Sequence, residues 1–499
     1  MNAWPCHRFA AAALLVAALP CAAQLTTDPA YVAGRDAWQQ RQWGGAIDAL
    51  RPLVDPDDRG NYEVDYWLGT SLCRTDGRLG QGANILDWSL RFRNMPEAAR
   101  PTLDGERRLC VQQLQAGTAP GAAPPVLIAL AGGTATVKGT PKLFAVGGSD
   151  GLLANAPLRV TRPIKAAELE ARLIPLGEPE RALAMVRQLA PASRHHVSRR
   201  TVIASASPTH TAASLKLIGE RLDDFIDFLV ESYRLKPPPT YVAVYLYPDI
   251  PTLRQAAMRL HGMEANAMTL GYTFGNDRSI LGMLTGTGAG TLLHELFHTV
   301  VHESFGGIPQ WLDEGVASLY ETATAAEGLY FGEPNWRSRV YADLVAGPGS
   351  GIRLADLVTA PWFSDEPAIH RKLGERVYDD AQQAYLLAFA RMFALYLQET
   401  GTLHKVFDAY RQRTVPDTYV PAQQRAIQLL EQALGKPVDR IESEFRAWAP
   451  RAYDPATRFY AGNNRAQLIR KELPQRPATE IRRELPLPNA DIAREPARQ

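Results

Sequence analysis

The segment TLLHELFHTVVHESF, residues 291–305, constrains this chain more than any other stretch. On an α-helix, side chains four residues apart lie one turn apart on the same face, so His294 and His298 reach toward a single point. Glu295 projects beside them, while Leu292, Leu293, Leu296, Phe297, Val300 and Val301 give the helix an apolar surround. Imidazoles and a carboxylate in such company need a strong partner, and a zinc ion is one. The fold has to bury this helix and still bring a further ligand to it, because catalytic zinc is held by three protein groups and a water.

His302, the next histidine along, fails on geometry. Eight residues of uninterrupted helix rise about 12 Å, whereas zinc ligands sit about 2 Å from the ion. A helix that recruits a third histidine breaks at a glycine soon after the second, and here the first glycines, Gly306 and Gly307, come after His302. His302 is therefore read as a packing or surface histidine. The chain instead reverses at those glycines into IPQWLDEGVASLYE, a helix over 309–323 with proline at its first position and Asp313 and Glu314 in its early turns. Glu314 can then face the two histidines. Asp313 has two readings, a carboxylate that orients a ligand histidine or an ordinary helix-start carboxylate.

With these residues in view, the chain resembles the gluzincins, the peptidase-MA-like superfamily that includes thermolysin-type enzymes and zinc aminopeptidases. In that group a His-Glu-x-x-His helix is followed by one reading Trp-Leu-x-Glu-Gly-x-Ala, and here the second is Trp311-Leu312-Asp313-Glu314-Gly315-Val316-Ala317. The resemblance spans about 200–448, including the closing ALGKPVDRIESEFRAW helix. It implies one catalytic zinc on His294, His298 and Glu314, general-base work by Glu295 and a peptide or protein substrate. A zinc ion in such a set draws the pKa of a water toward about 7 and polarises a carbonyl, and Glu295 takes the water's proton and passes it to the leaving amine. Tyr385 in AQQAYLLAFARMF is the first candidate for the oxyanion donor, followed by Tyr378 and His370. The strand at 279–284 is expected beside the cleft, pairing with an extended peptide as the corresponding edge strand does in relatives. The spacing from His298 to Glu314 is shorter than in the aminopeptidases, and their Gly-x-Met-Glu-Asn motif is missing from the sequence. Aminopeptidase activity is not supported.

At 499 residues the chain is long enough for two to four domains. Lys plus Arg number 54 against 53 Asp plus Glu, so no global field recruits nucleic acid. Residues 1–23 carry the marks of a secretory signal peptide: His7 and Arg8, an apolar run over 9–19, then Cys21-Ala22-Ala23. Pro20 argues against lipidation of Cys21, and the apolar run is too short to span a bilayer. A periplasmic or secreted protein without a membrane span is expected. Export leaves Cys73 and Cys110 in an oxidising compartment, where they form either a disulfide or two buried thiols.

Residues 24–115 form helical hairpins. Gly34 and Gly69 stand 35 residues apart, and Trp67-Leu68-Gly69 with Ala46 and Ala83 resembles the tetratricopeptide pattern of small residues where paired helices touch. Such hairpins suit a protein partner. Residues 116–199 read as a linker and a small mixed segment: a loop over 116–126, short strands to about 163, helix over 166–189 and a boundary near 191–200. Residues 200–450 read strand, helix, strand, strand, helix, then further helices at 379–398 and 423–448. The last part, 451–499, is an Arg- and Pro-rich tail. The fold class expected is α+β and predominantly helical, a thermolysin-like domain behind helical hairpins.

Two other signals carry less. The glycine-rich turn over 286–290 has spacing G-x-G-x-G rather than a phosphate fingerprint, and His195-His196 sits among arginines in the expected linker. Two function classes remain: a zinc peptidase, or a binding and assembly protein whose metal site no longer turns over. The presence of Glu295 favours the enzyme, because a retired site can lose its base first.

Overall fold

The fold was taken from a computed structural model, which describes residues 28–453 apart from 55–61, 93–94, 96–98, 118–158, 163, 266–268, 285–288, 306–307, 327, 348–350, 360–377, 379, 413–415 and 417. The signal peptide, the short strands expected over 126–158, most of the 286–290 turn, His370 and nearly all of the tail lie outside the described residues. What is described is α+β and predominantly helical.

The described residues begin with the α-helices α1 (Pro29–Gln39), α2 (Trp43–Leu50), α3 (Tyr62–Leu72), α4 (Leu79–Phe92) and α5 (Arg100–Ala116). Every residue of α3 except Glu63 is buried, because it lies between its neighbours on both sides. Small residues allow that closeness. A Cβ on Gly34 would fall 2.4 Å from Leu50, and Ala46 and Ala83 are fully buried at the helix contacts. Trp38 donates its indole N–H to Thr70 at 2.8 Å, and Cys73 and Cys110 are joined by a disulfide that ties the end of α3 to α5.

This helical body is latched to the far end of the chain. Asn84 on α4 is fully buried, donates to the carbonyls of Pro416 and Thr418 and accepts from the Val420 amide. Asp87 accepts from the Ala422 amide, and the guanidinium of Arg425 lies over the Trp88 ring. A buried amide with all these bonds made rigidifies the junction rather than weakening it.

The central sheet has the order β2-β3-β4-β7-β6, built from β2 (Arg194–Val197), β3 (Thr201–Ser205), β4 (Val242–Leu246), β6 (Gly271–Phe274) and β7 (Ser279–Gly282). Pairs β3–β4 and β4–β7 are parallel, while β2–β3 and β6–β7 are antiparallel. The central strands β3 and β4 are buried at every position because both faces are covered. Ile203, Val244 and Ile280 face the core that holds the site helices. Val202, Ala243, Tyr245 and Leu281 face a second core with α7 (Pro179–Leu189) and α9 (Ile250–His261). Two-residue strands β1 (Arg159–Val160) and β5 (Met263–Glu264) pair with each other, and the short helix α6 (Ala166–Glu170) comes between β1 and α7 in the chain.

The sheet corrects two expectations. No domain boundary falls at 191–200, because β2 is the partner of β3 and α7 packs on the same sheet; His195 and His196 lie in a strand, not a linker. The polar sequence of β2 reflects a sheet margin with one side open to solvent. The strand at 279–282 is internal, and the edge on that side of the sheet is β6, which the sequence reading passed over along with α9.

The long helix α8 (Ala212–Tyr233), capped by Thr211, connects β3 to β4. The site rests on α10 (Gly290–Ser304) and α11 (Gln310–Leu319), followed by the hairpin β8 (Ala323–Ala326) and β9 (Leu329–Gly332) and by α12 (Trp336–Ala346). Helices α13 (Leu354–Thr359), α14 (Asp380–Glu399), α15 (Leu403–Arg411), α16 (Ala422–Leu434), α17 (Val438–Trp448) and α18 (Pro450–Tyr453) complete the layer. Gly315 on α11 lets α14 approach: a Cβ there would lie 2.7 Å from the Ala390 carbonyl oxygen. Among the described residues no helix is long and apolar enough to cross a membrane.

Candidate metal centre

Helix α10 lies against β6, β7 and α8 on one side and α11 on the other, and its apolar residues anchor it in the main core. The spacing of four then aims two imidazoles at α11. Nε2 of His294 and Nε2 of His298 are 3.2 Å apart, and Oε2 of Glu314 lies 3.7 Å from the first and 3.6 Å from the second. Three donors held tetrahedrally at about 2.0–2.1 Å from an ion stand about 3.3–3.4 Å apart, so this triangle fits a metal ion. All three residues are buried.

A carboxylate stands behind each histidine. Oδ1 of Asp313 is 2.8 Å from Nδ1 of His298, and Oε1 of Glu321 is 3.3 Å from Nδ1 of His294. The bond to Asp313 holds the His298 tautomer that leaves Nε2 for a metal, and Glu321 sets a carboxylate charge beside Nδ1 of His294. Glu321 is itself clamped by Arg337, whose Nη2 and Nε donate at 2.7 and 2.8 Å. Thr273 on the edge strand β6 meets Glu295: its hydroxyl lies 2.9 Å from Oε2 and 2.7 Å from the carbonyl oxygen.

The electrostatics favour a cation. Burial opposes a charged His298, but the carboxylates of Asp313 and Glu314 outweigh it and hold the imidazole well above its ordinary value. Burial also opposes ionised Asp313, yet His302 and His298 keep it well below the usual carboxylate range. For Glu321 burial is again outweighed, here by Arg337, and the carboxyl stays ionised. Glu314 differs. Burial pushes its carboxyl up, and its Oε2 is buried without a hydrogen-bond partner. Its Oε2 meets the two imidazoles only at 3.6–3.7 Å, longer than a hydrogen bond, which leaves room for a cation between the three donors.

Apart from His370, each site residue expected from the sequence lies among the described residues. His294, His298 and Glu314 come together, Glu295 lies beside them, and Asp313 orients His298. His302 is about one-third exposed and bonds to the second oxygen of Asp313 at 2.8 Å, so it stays out of the inner triangle. His298, His302 and Asp313 also form a compact trio on the outer side, sharing His298 through its other nitrogen. Tyr385 is half-buried on α14 against the main core, and Tyr378 is buried. Sequence reasoning missed Glu321, Arg337 and Thr273. Glu321 lies seven residues after Glu314 and just past the end of α11 at Leu319, so helical spacing did not point to it.

The fold and site define a class: an α+β protein with a buried His-His-Glu cluster able to hold a metal ion, each histidine backed by a carboxylate. No protein-family model and no curated protein matches the chain.

Proposed function

We propose that this chain is an exported zinc-dependent metallopeptidase of gluzincin type, with a thermolysin-like catalytic domain, that hydrolyses peptide bonds. The observation carrying this reading is the triangle of His294, His298 and Glu314, with donor separations of 3.2–3.7 Å and a buried Glu314 oxygen that meets the imidazoles only at 3.6–3.7 Å. Two imidazoles and one carboxylate form a donor set that catalytic zinc uses.

When bound, zinc supplies a Lewis acid that brings a water's pKa toward neutrality and polarises the scissile carbonyl. Glu295 is the base: Thr273 holds its Oε2, which presents Oε1 to receive a proton and pass it to the departing amine. The open edge of β6 lies on the same side, where Thr273 faces Glu295, and an extended peptide paired there would cross the metal centre. Tyr385 remains the candidate for oxyanion stabilisation, carried by the family resemblance. The disulfide between Cys73 and Cys110 supports a periplasmic or secreted location, and the helical body is the surface for a protein partner.

The test combines metal analysis of the purified protein with proteome-wide cleavage profiling of wild type and Glu295→Gln. Stoichiometric zinc in both, with cleavage in the wild type alone, is the expected result. Absence of metal from both sinks the reading; zinc without cleavage in the wild type favours a binding protein with a retired site.

A further inference from the structure

We infer that His302 is a positioning residue for the metal centre, acting through Asp313 on His298, and this rests on the metal-centre reading above. His294, His298 and His302 follow one another at intervals of four along the same face of α10. The first two point Nε2 into the triangle. His302 turns its Nε2 to Oδ2 of Asp313 at 2.8 Å, while Oδ1 of the same carboxylate takes Nδ1 of His298, also at 2.8 Å.

The consequence is mechanical. A carboxylate held at one oxygen can swing about its Cβ–Cγ bond; held at both, it has one orientation. Asp313 sits on the early turns of α11 next to Glu314, so any swing of its side chain would loosen the grip on His298 just where the third ligand is placed. His302 removes that freedom from the solvent side, where it is about one-third exposed and the rest of the chain of contacts is buried. This preorganises His298 Nε2 before any metal arrives. Outer partners of metal-binding histidines typically change metal affinity about 10- to 100-fold, and a residue one step further out belongs at the lower end, about tenfold.

The experiment uses the full chain stripped of metal, with cobalt(II) as the probe and a chelator in competition, for wild type, His302→Ala and His302→Gln. Glutamine places an amide N–H near the position of Nε2. Wild type is expected to bind one cobalt; His302→Ala should bind it about tenfold more weakly with a changed visible spectrum, and His302→Gln should recover most of both. Thermal unfolding of the metal-free proteins shows whether each variant is folded. Equal affinity and an identical spectrum in His302→Ala would overturn the inference while leaving the metal centre intact. A second equivalent of cobalt in wild type, lost in His302→Ala, would overturn it too, by making His302 a ligand of the outer trio. A wild type that takes up no cobalt would defeat the metal-centre reading itself.

Discussion

Arg337→Met isolates the charge that stands behind His294. The pair it breaks is buried, with side-chain exposure of 1% for Arg337 and 7% for Glu321, and it is joined by two charge-assisted hydrogen bonds. Removing one partner of such a pair costs about 3–5 kcal/mol, since the other is left as an uncompensated buried charge. Arg391 lies nearby, fully buried with its pKa pushed down to about 10 by burial, so it is still charged at neutral pH and also acts on Glu321. The cost expected is therefore near the lower end, about 3 kcal/mol, on the order of a hundredfold in the folding equilibrium. In urea unfolding followed by tryptophan fluorescence, Arg337→Met should be destabilised by that amount at neutral pH. The double variant with Glu321→Gln should be less destabilised, because no charge is stranded. The sign with pH comes from the carboxyl. In wild type Arg337 depresses the Glu321 pKa, so its stabilisation is full above the ordinary carboxylate range and fades as pH falls. Without Arg337, burial raises that pKa, and acid restores a neutral Glu321. The penalty should shrink between pH 7 and pH 5. An Arg337→Met protein as stable as wild type, or a double variant worse than the single, would refute this reasoning.

Three further outcomes are expected. Removing both Cys73 and Cys110 should destabilise the helical body by about 4 kcal/mol, the loop-entropy value for cysteines 37 residues apart, and limited proteolysis should then cut that body first. Gly290→Ala should weaken metal binding and lower the melting temperature, because its Cβ would lie 1.9 Å from the Glu321 carbonyl oxygen and would force the backbone of Glu321 away from His294; unchanged chelator competition would contradict this. Metal affinity of the stripped protein should rise about tenfold per pH unit across pH 6–8, because the carboxylates of Asp313 and Glu314 hold a proton on His298 that the metal must displace. A flat pH profile would count against that proton.

Much of the site was legible before the fold was known, for a local reason. The i, i+4 spacing of His294 and His298 is a property of one helix, and so is the exclusion of His302 from the inner triangle. Glu314 was legible because the helix bearing it comes after a short turn, so chain length alone limits where it can go. Strands β3 and β4 declared themselves as apolar runs, buried on both faces. The edge strand did not: β6 is four residues long, with glycine and threonine among them, and its place at the margin comes from pairing with β7, which composition does not encode. Strand β2 was hidden by arginine and two histidines, because an open sheet margin tolerates polar side chains.

Residue order alone was enough to bring out the donors, two imidazoles that helical periodicity sends to one place and a carboxylate on the next helix, with Glu295 beside them. Tertiary structure decided what stands behind them. Glu321 reaches His294 because the start of α10 packs on the Glu321 backbone at Gly290, Arg337 reaches Glu321 across the β8–β9 hairpin, and Thr273 reaches Glu295 from a strand 22 residues earlier. Helical spacing acts over about one turn, whereas these contacts join separate elements, and only the packing of layers brings those elements within hydrogen-bond range.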